Sequence, residues 1–316
     1  MDDLIKAVRE KARQLLEEGQ VDLVVGFEDS VLPLRSTPCF IRTPQEVERL
    51  TWGSGCENNL AKFLKDTQGK VAIVAKGCDT RAIVGLIQEK QVDRDRVVIL
   101  GMPCRGMIDR ARVERLLGER ELLSVEEKGE KVVLKGRDFE EVQPRVDLLH
   151  QTCKVCRRPN PVIYDFLMGD KVGENEGIDE YAEVREFEAK DAEQRWDYFT
   201  KEISKCIRCY GCRNACPLCY CQECFVDHTK PRWVGKTIDP VDTQLFHLTR
   251  AFHLAGRCVG CGACERACPM GVDLGKLNRK LDMDVDELFS YKAGLSEEEL
   301  PPLATYKPDD EQGFIR

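Results

Sequence analysis

The feature that most constrains this chain is a duplicated cysteine pattern. Cys206, Cys209, Cys212 and Cys216 are followed by Pro217, and Cys258, Cys261, Cys264 and Cys268 by Pro269. Each copy reads C-x2-C-x2-C-x3-C-P, a spacing that lets three thiolates face one cubane iron–sulfur cluster while the fourth reaches the other cluster. The pairing assigns Cys206, Cys209, Cys212 and Cys268 to one [4Fe–4S] cluster, and Cys258, Cys261, Cys264 and Cys216 to a second. Zinc also takes Cys-x2-Cys pairs. Eight cysteines in identical spacing, with both prolines, favour the clusters.

This part resembles the two-cluster ferredoxin domain. At 316 residues the chain is long enough for a second domain with its own core. No run of 18 apolar residues occurs, so no membrane span is expected. The N-terminal stretch is an amphipathic, acid-bearing helix without the apolar core of a signal peptide. With 17 cysteines in such a chain, the expectation is reduced thiolates in a cytoplasm, in an anaerobic setting, rather than disulfides. A net charge of −8 and the lack of a basic cluster interleaved with aromatics argue against nucleic acid as a partner.

The first half reads as an α/β domain with a mostly parallel sheet. Residues 3–18 have helical periodicity through Leu4, Ile5, Val8, Ala12, Leu15 and Leu16, closed by Gly19. A short strand runs from Val21 to Phe27. Thr43-Pro44-Gln45-Glu46 reads as a capping box opening a helix to about Leu50, and residues 57–65 read as another helix. Then come two strand-to-helix units. Strand 70–75 ends at Gly77-Cys78-Asp79, with Asp79 expected to cap helix 80–90. Strand 96–100 ends at Gly101-Met102-Pro103-Cys104, before a helix over 109–117. Continuous apolar strands separated by helices imply a covered parallel sheet, with ligands beyond the carboxyl ends of its strands. Cys78 and Cys104 fall at that edge. Residues 121–136 read as a hairpin around Gly129. Cys153-x2-Cys156 follows in a basic loop; alone it fits zinc, a redox dithiol or a cluster, and Cys78 and Cys104 are the best-placed partners to complete four thiolates.

These motifs resemble the β-subunit family of deazaflavin-reducing hydrogenases and deazaflavin-dependent formate dehydrogenases. The matching positions are Cys78 in VAKGCD, Cys104 in ILGMPC, Cys153 with Cys156, and the segment Asp165-Phe166-Leu167-Met168-Gly169-Asp170. The resemblance covers about residues 1–175. It implies that Cys78, Cys104, Cys153 and Cys156 hold a third [4Fe–4S] cluster beside a flavin (FAD). Two departures stand out: the family's glycine-rich entry to the first helix is missing, and the ferredoxin part follows this domain rather than preceding it.

The expected organisation is an α/β domain over 1–175, an acidic linker and helix over 176–200, an α+β two-cluster ferredoxin-like domain over 201–285 and a tail over 286–316. Asp239-Pro240 starts a helix whose Leu245, Leu248, Phe252 and Leu254 form an apolar side, stopped by Gly256. His247 and His253 on it read as core or surface histidines rather than ligands. Cys219, Cys221 and Cys224 lie outside the duplicated pattern. They could hold a fourth cluster with Cys39 or Cys56, form a zinc site with His228, or be free thiols.

No nucleophile or acid–base constellation, Walker loop or G-x-G-x-x-G after a strand is present. The expected function is that of an iron–sulfur electron-transfer subunit, relaying single electrons within a cytoplasmic complex of redox subunits (hydrogenase, formate dehydrogenase or heterodisulfide-reductase-like). The alternative is a catalytic FAD subunit that exchanges a hydride with a deazaflavin or NAD(P)H and passes the electrons to the clusters.

Overall fold

The computed structural model describes residues 2–305; the end of the expected tail, 306–316, lies outside the described residues. The chain forms two compact units. One comprises Met1–Arg81 with Val92–Glu180, the other Ala82–Gln91 with Tyr181–Arg316. No described helix is long and apolar enough to cross a membrane.

The first unit is built on a mixed sheet. Helix α1 (Asp2–Glu17) leads into β1 (Leu23–Asp29), β2 (Ser36–Ile41) and β3 (Leu50–Thr51); β4 is Val71–Lys76 and β5 Val97–Met102. After the three-stranded antiparallel sheet β6 (Ser124–Lys128), β7 (Lys131–Lys135) and β8 (Glu140–Pro144), β9 (Phe166–Leu167) returns to the first sheet. The order is β2-β1-β4-β5-β9, with β3 also on β1. β1, β4, β5 and β9 are parallel, whereas β2 and β3 run antiparallel to β1. Every residue of β4 is buried, as its unbroken apolar run implied. α1 lays Val8, Ala12 and Leu15 against Val24, Val74 and Leu100 of the sheet.

β4 and β5 are neighbours in register, Lys76 opposite Met102. Both therefore deliver their following cysteines to one edge. Helix α2 (Gly77–Gln88) starts directly after β4, and helix α3 (Arg110–Leu117) starts behind Asp109, whose side chain accepts from the Arg112 N–H.

Three local expectations change. Residues 44–49 form a 3-10 turn rather than an α-helix, although the Glu46 carboxylate does accept the Thr43 N–H at 3.1 Å. Residues 57–65 yield only a 3-10 turn, Leu60–Phe63. The carbonyls that would begin a helix there, those of Cys56 and Asn58, are taken by the buried Lys76 ammonium at 3.0 and 2.8 Å. Asp79 is not the N-cap of α2. It lies inside the first turn, fully buried, accepting the N–H of Lys76 at 2.8 Å and that of Leu60 at 3.2 Å.

The second unit is mostly helical. It contains helices α4 (Ala192–Ser204), α5 (Pro240–His253) and α6 (Gly275–Phe289), with two one-turn helices, Gly211–Ala215 and Ala263–Arg266, inside the cysteine runs. The acidic stretch expected as linker is partly helical, with Ala182–Glu188 preceding α4. Asp239 caps α5 as expected, accepting from the Val241 and Asp242 N–H groups. The buried face of α5 differs from the expected apolar side. It consists of Thr243, Phe246, His247, Arg250 and Ala251, while Leu245 and Phe252 are exposed. Phe246 packs with Ile203, Val226, Val234 and Val272, Leu254 is buried as expected, and the polar His247 and Arg250 meet the Cys206 sulfur and the Cys212 carbonyl.

The ion pair between Lys76 and Asp79 (3.0 Å) is 2% and 0% exposed at its side chains. Removing one partner of such a pair leaves an uncompensated buried charge. Asp79→Ala should therefore cost about 3–5 kcal/mol, read as a lowered urea midpoint. Lys76→Met combined with Asp79→Leu should cost clearly less. Equal losses in the single and double variants would rule the pair out as the cause.

Candidate metal centres

At the sheet edge of the first unit, glycine positions explain how the loop carrying Cys153 and Cys156 approaches the ends of β4 and β5. A Cβ on Gly77 would lie 2.4 Å from the Arg158 carbonyl oxygen and 2.8 Å from that of Asn160. The loop after Cys153-x2-Cys156 thus presses on the end of β4. The Cys104 N–H donates to the Pro159 carbonyl at 2.9 Å, which ties the same loop to the end of β5. Gly106 has φ +88°, a conformation that favours glycine, and a Cβ there would sit 3.2 Å from the Cys153 Cβ.

The thiols feel one another electrostatically. Cys104 is pushed up to about 12, first by burial and then by Cys153, with Cys156 adding to it and Lys76 opposing. Burial alone would lower Lys76, but Asp79, Cys78 and Cys104 together hold it above its ordinary value. Two backbone N–H groups point at sulfur: Gly106 to Cys104 Sγ and Met107 to Cys153 Sγ, each at 3.4 Å.

In the second unit the two cysteine runs repeat one backbone. The residue after Ile207 and the residue after Val259 both have positive φ, Arg208 at 53° and Gly260 at 64°. So do the residues before the one-turn helices, Tyr210 at 58° and Gly262 at 71°. The runs pack closely enough that a Cβ on Gly211 would lie 2.9 Å from the Ala267 carbonyl oxygen.

The fourth cysteine of each run is within electrostatic reach of the other run. Cys206 is raised by burial first, and also by Cys268 and Cys209. Cys212 is likewise raised by burial, with Cys206 and Cys268 contributing. Cys258 is pushed up to about 12 by burial, and Cys261 and Cys216 add to it. Cys264, buried too, is raised further by Cys216, Cys258 and Cys261. Sulfur again receives N–H donors: Arg208 N to Cys206 at 3.3 Å, Val272 N to Cys268 at 3.4 Å, and the Asn278 amide to Cys264 at 3.6 Å.

Sequence reasoning missed three side chains here. His247 is buried with Nε2 3.3 Å from Cys206 Sγ, and burial, with Arg250 and Arg208, lowers it to about 4. Arg208 is 7% exposed and donates to the Thr237 carbonyl at 2.7 Å and the Tyr210 hydroxyl at 2.8 Å. Arg250 is 4% exposed and donates to the Cys212 carbonyl at 3.2 Å. The spacing of Thr243, His247 and Arg250, at i, i+4 and i+7, was the available signal: it marks one polar stripe on α5.

The leftover cysteines have separate surroundings. Cys219 is held below its ordinary value, first by a hydrogen bond from the Cys216 thiol, with Arg250 adding to it. Cys221 is exposed, and Cys224 hydrogen-bonds Arg213. Cys39 and Cys56 are buried in the first unit, raised to about 12 and about 11, in each case chiefly by burial.

Among the described residues no three His, Cys, Asp or Glu side chains are gathered tightly enough for a single metal ion. Several thiols within reach of one another's charge, with N–H groups directed at sulfur, suit iron–sulfur cubanes, whose potentials depend on such bonds and on burial.

The comparisons with known proteins agree with this chemistry. A family model described as a 4Fe-4S dicluster domain matches residues 202–272. The F420-dependent formate dehydrogenase subunit beta of Methanocaldococcus jannaschii is 24% identical over 358 aligned positions, covering 94% of this chain and 93% of its own. The F420-dependent formate dehydrogenase 1 subunit beta of Methanococcus maripaludis is also 24% identical, over 94% of this chain and 92% of its own. A chain of the F420-reducing [NiFe] hydrogenase complex from Methanosarcina barkeri matches with a TM-score of 0.39 and 15% identity, over 50% of this chain and 59% of that one. Residues 202–272 are thus a 4Fe-4S dicluster domain, and the chain as a whole is similar, over nearly its full length, to β subunits of formate dehydrogenases.

Proposed function

We propose that this chain is an iron–sulfur electron-transfer subunit of a multi-subunit oxidoreductase. The observation that carries the reading is the match of residues 202–272 to a 4Fe-4S dicluster domain model, with Cys268 within electrostatic reach of Cys206 and Cys212, and Cys216 within that of Cys258 and Cys264. A [4Fe–4S] cluster bound to such a set gives and takes one electron at a time. Cys206, Cys209, Cys212 and Cys268 would hold one, and Cys258, Cys261, Cys264 and Cys216 the other. Cys78, Cys104, Cys153 and Cys156 would hold a third, supported by the loop that closes over the ends of β4 and β5. The N–H groups of Gly106, Met107, Arg208 and Val272 and the Asn278 amide donate to sulfur and would help hold the negative charge of a cluster there. The similarity to formate dehydrogenase β subunits points to donor and acceptor on neighbouring subunits of one complex, in the cytoplasm.

One observation favours the catalytic alternative. A cleft of about 730 Å³ opens beyond the carboxyl ends of β5 and β9, lined by Pro103, Cys104, Arg105, Met168, Gly169 and Asp170. Crevices at that edge are where α/β sheets bind cofactors, and the volume is in the usual range for such sites. FAD held there would stand beside Cys104. It would exchange a hydride with a deazaflavin or nicotinamide.

Two measurements test these readings. Anaerobically prepared full-length protein should carry about twelve irons, and Cys153→Ser with Cys156→Ser should remove about four while leaving the C-terminal EPR signals in place. Iron content unchanged by that substitution would move the third cluster elsewhere. The isolated chain should reduce viologen from reduced deazaflavin or NAD(P)H more slowly than about 1 per second. Faster turnover, with flavin in the acid extract, would establish the catalytic alternative instead.

A further inference from the structure

We infer that Arg250 is a positioning residue that sets the reduction potentials of both centres in the 4Fe-4S dicluster domain. The inference rests on the relay reading above. Arg250 lies on the buried face of α5, with its side chain near both cysteine runs. Toward the first, its guanidinium donates to the Cys212 carbonyl at 3.2 Å. Toward the second, it hydrogen-bonds Cys219, the thiol paired with Cys216, and it also lies within electrostatic reach of Cys264. The side chain is 4% exposed, and its Nε is buried without a partner.

A buried guanidinium is costly unless anions compensate it. Here the groups that hold it charged are sulfurs, Cys264, Cys219, Cys216 and Cys212, rather than a carboxylate. Burial weakens solvent screening, so a fixed positive charge acts strongly on its neighbours. Reduction places one electron, and so one further negative charge, on a thiolate-bound centre. No bond forms or breaks, and the electron comes from a low-potential one-electron donor, dithionite in the test below. Arg250 offsets that added charge, which favours the reduced state and raises the potential. Because it lies near both groups, it raises both potentials together.

The test is an EPR-monitored redox titration of the full-length, anaerobically prepared chain and three variants: Arg250→Lys, Arg250→Met and Arg250→Gln. Iron content is measured alongside. Both C-terminal midpoint potentials should fall in the Met and Gln variants and stay near the wild-type values in the Lys variant. Loss of iron in both neutral variants, with retention in Arg250→Lys, supports the same charge acting already during assembly. Loss in all three variants, a fall confined to one centre, equal shifts in the Lys and Met variants, or no shift overturns the inference. If the wild-type chain itself binds no clusters within residues 202–272, it is the relay reading that fails. If it binds them with potentials indifferent to residue 250, only the role of Arg250 fails.

Discussion

Buried positive charge beside sulfur is the constraint on which both units depend. Lys76 and Arg250 are 2% and 4% exposed, and each stands next to a group of cysteines. Desolvating either cation costs several kcal/mol. The two meet that cost differently. Lys76 has a carboxylate, Asp79, along with the carbonyls of Cys56 and Asn58 and the face of Phe27 at 4.8 Å from its Nζ. It would remain in place whatever the state of the thiols. Arg250 relies on sulfur, so its burial makes sense where the thiols are anionic, as they are when bound to iron.

The internal repeat shows how a shared backbone can be kept by different means. The second run places Gly260 and Gly262 where the chain turns left-handed, at no steric cost. The first run uses Arg208 and Tyr210 at the same turns, and non-glycine residues there are disfavoured by about 1–2 kcal/mol each. Compensating contacts are present for both. Arg208 binds the Thr237 carbonyl and the Tyr210 hydroxyl, and the Tyr210 ring meets Phe246 of α5 edge-on at 5.2 Å. These side chains connect the first run to α5, the helix that also presents His247 and Arg250. In the second run the glycines leave the backbone bare, and burial of Cys258 and Cys264 is provided by other elements.

What could be read from the sequence followed from how local each signal was. The cysteine runs are short and specified by spacing, so the 4Fe-4S domain they mark was legible. The strands β4 and β5 were legible because an unbroken apolar run has little alternative once both faces are covered. The 57–65 segment was misread because its fate depends on Lys76, far along the chain, whose ammonium claims the carbonyls of Cys56 and Asn58. Asp79 was misread for the same reason: as a helix cap it would face solvent, but here it is the counter-ion of that lysine. The face of α5 was misread in part because hydrophobic periodicity does not count polar side chains as core: Leu254 is buried as expected, but the helix also turns polar side chains inward beside cysteines. Leu245 and Phe252 are outside, and Thr243, His247 and Arg250 inside.

The polar side chains on the buried face of α5 also bear on how metal centres would assemble. Burial pushes Cys104 and Cys258 up to about 12, and raises Cys264 as well. Iron binds the thiolate, so loading must displace a proton from each of these buried groups. A site of thiols packed only against aliphatic side chains would make that displacement harder still, because nothing would stabilise the anions before the metal arrived. Lys76 lowers Cys104, and Arg250 lowers Cys212, Cys216, Cys219 and Cys264. The same two cations would act at two stages, easing the loss of protons from sulfur as iron loads and offsetting part of the charge that an added electron would bring to a bound cluster. A polar stripe on α5 and a lysine at the end of an otherwise apolar strand, both costly in an ordinary core, are what a sulfur-lined interior requires.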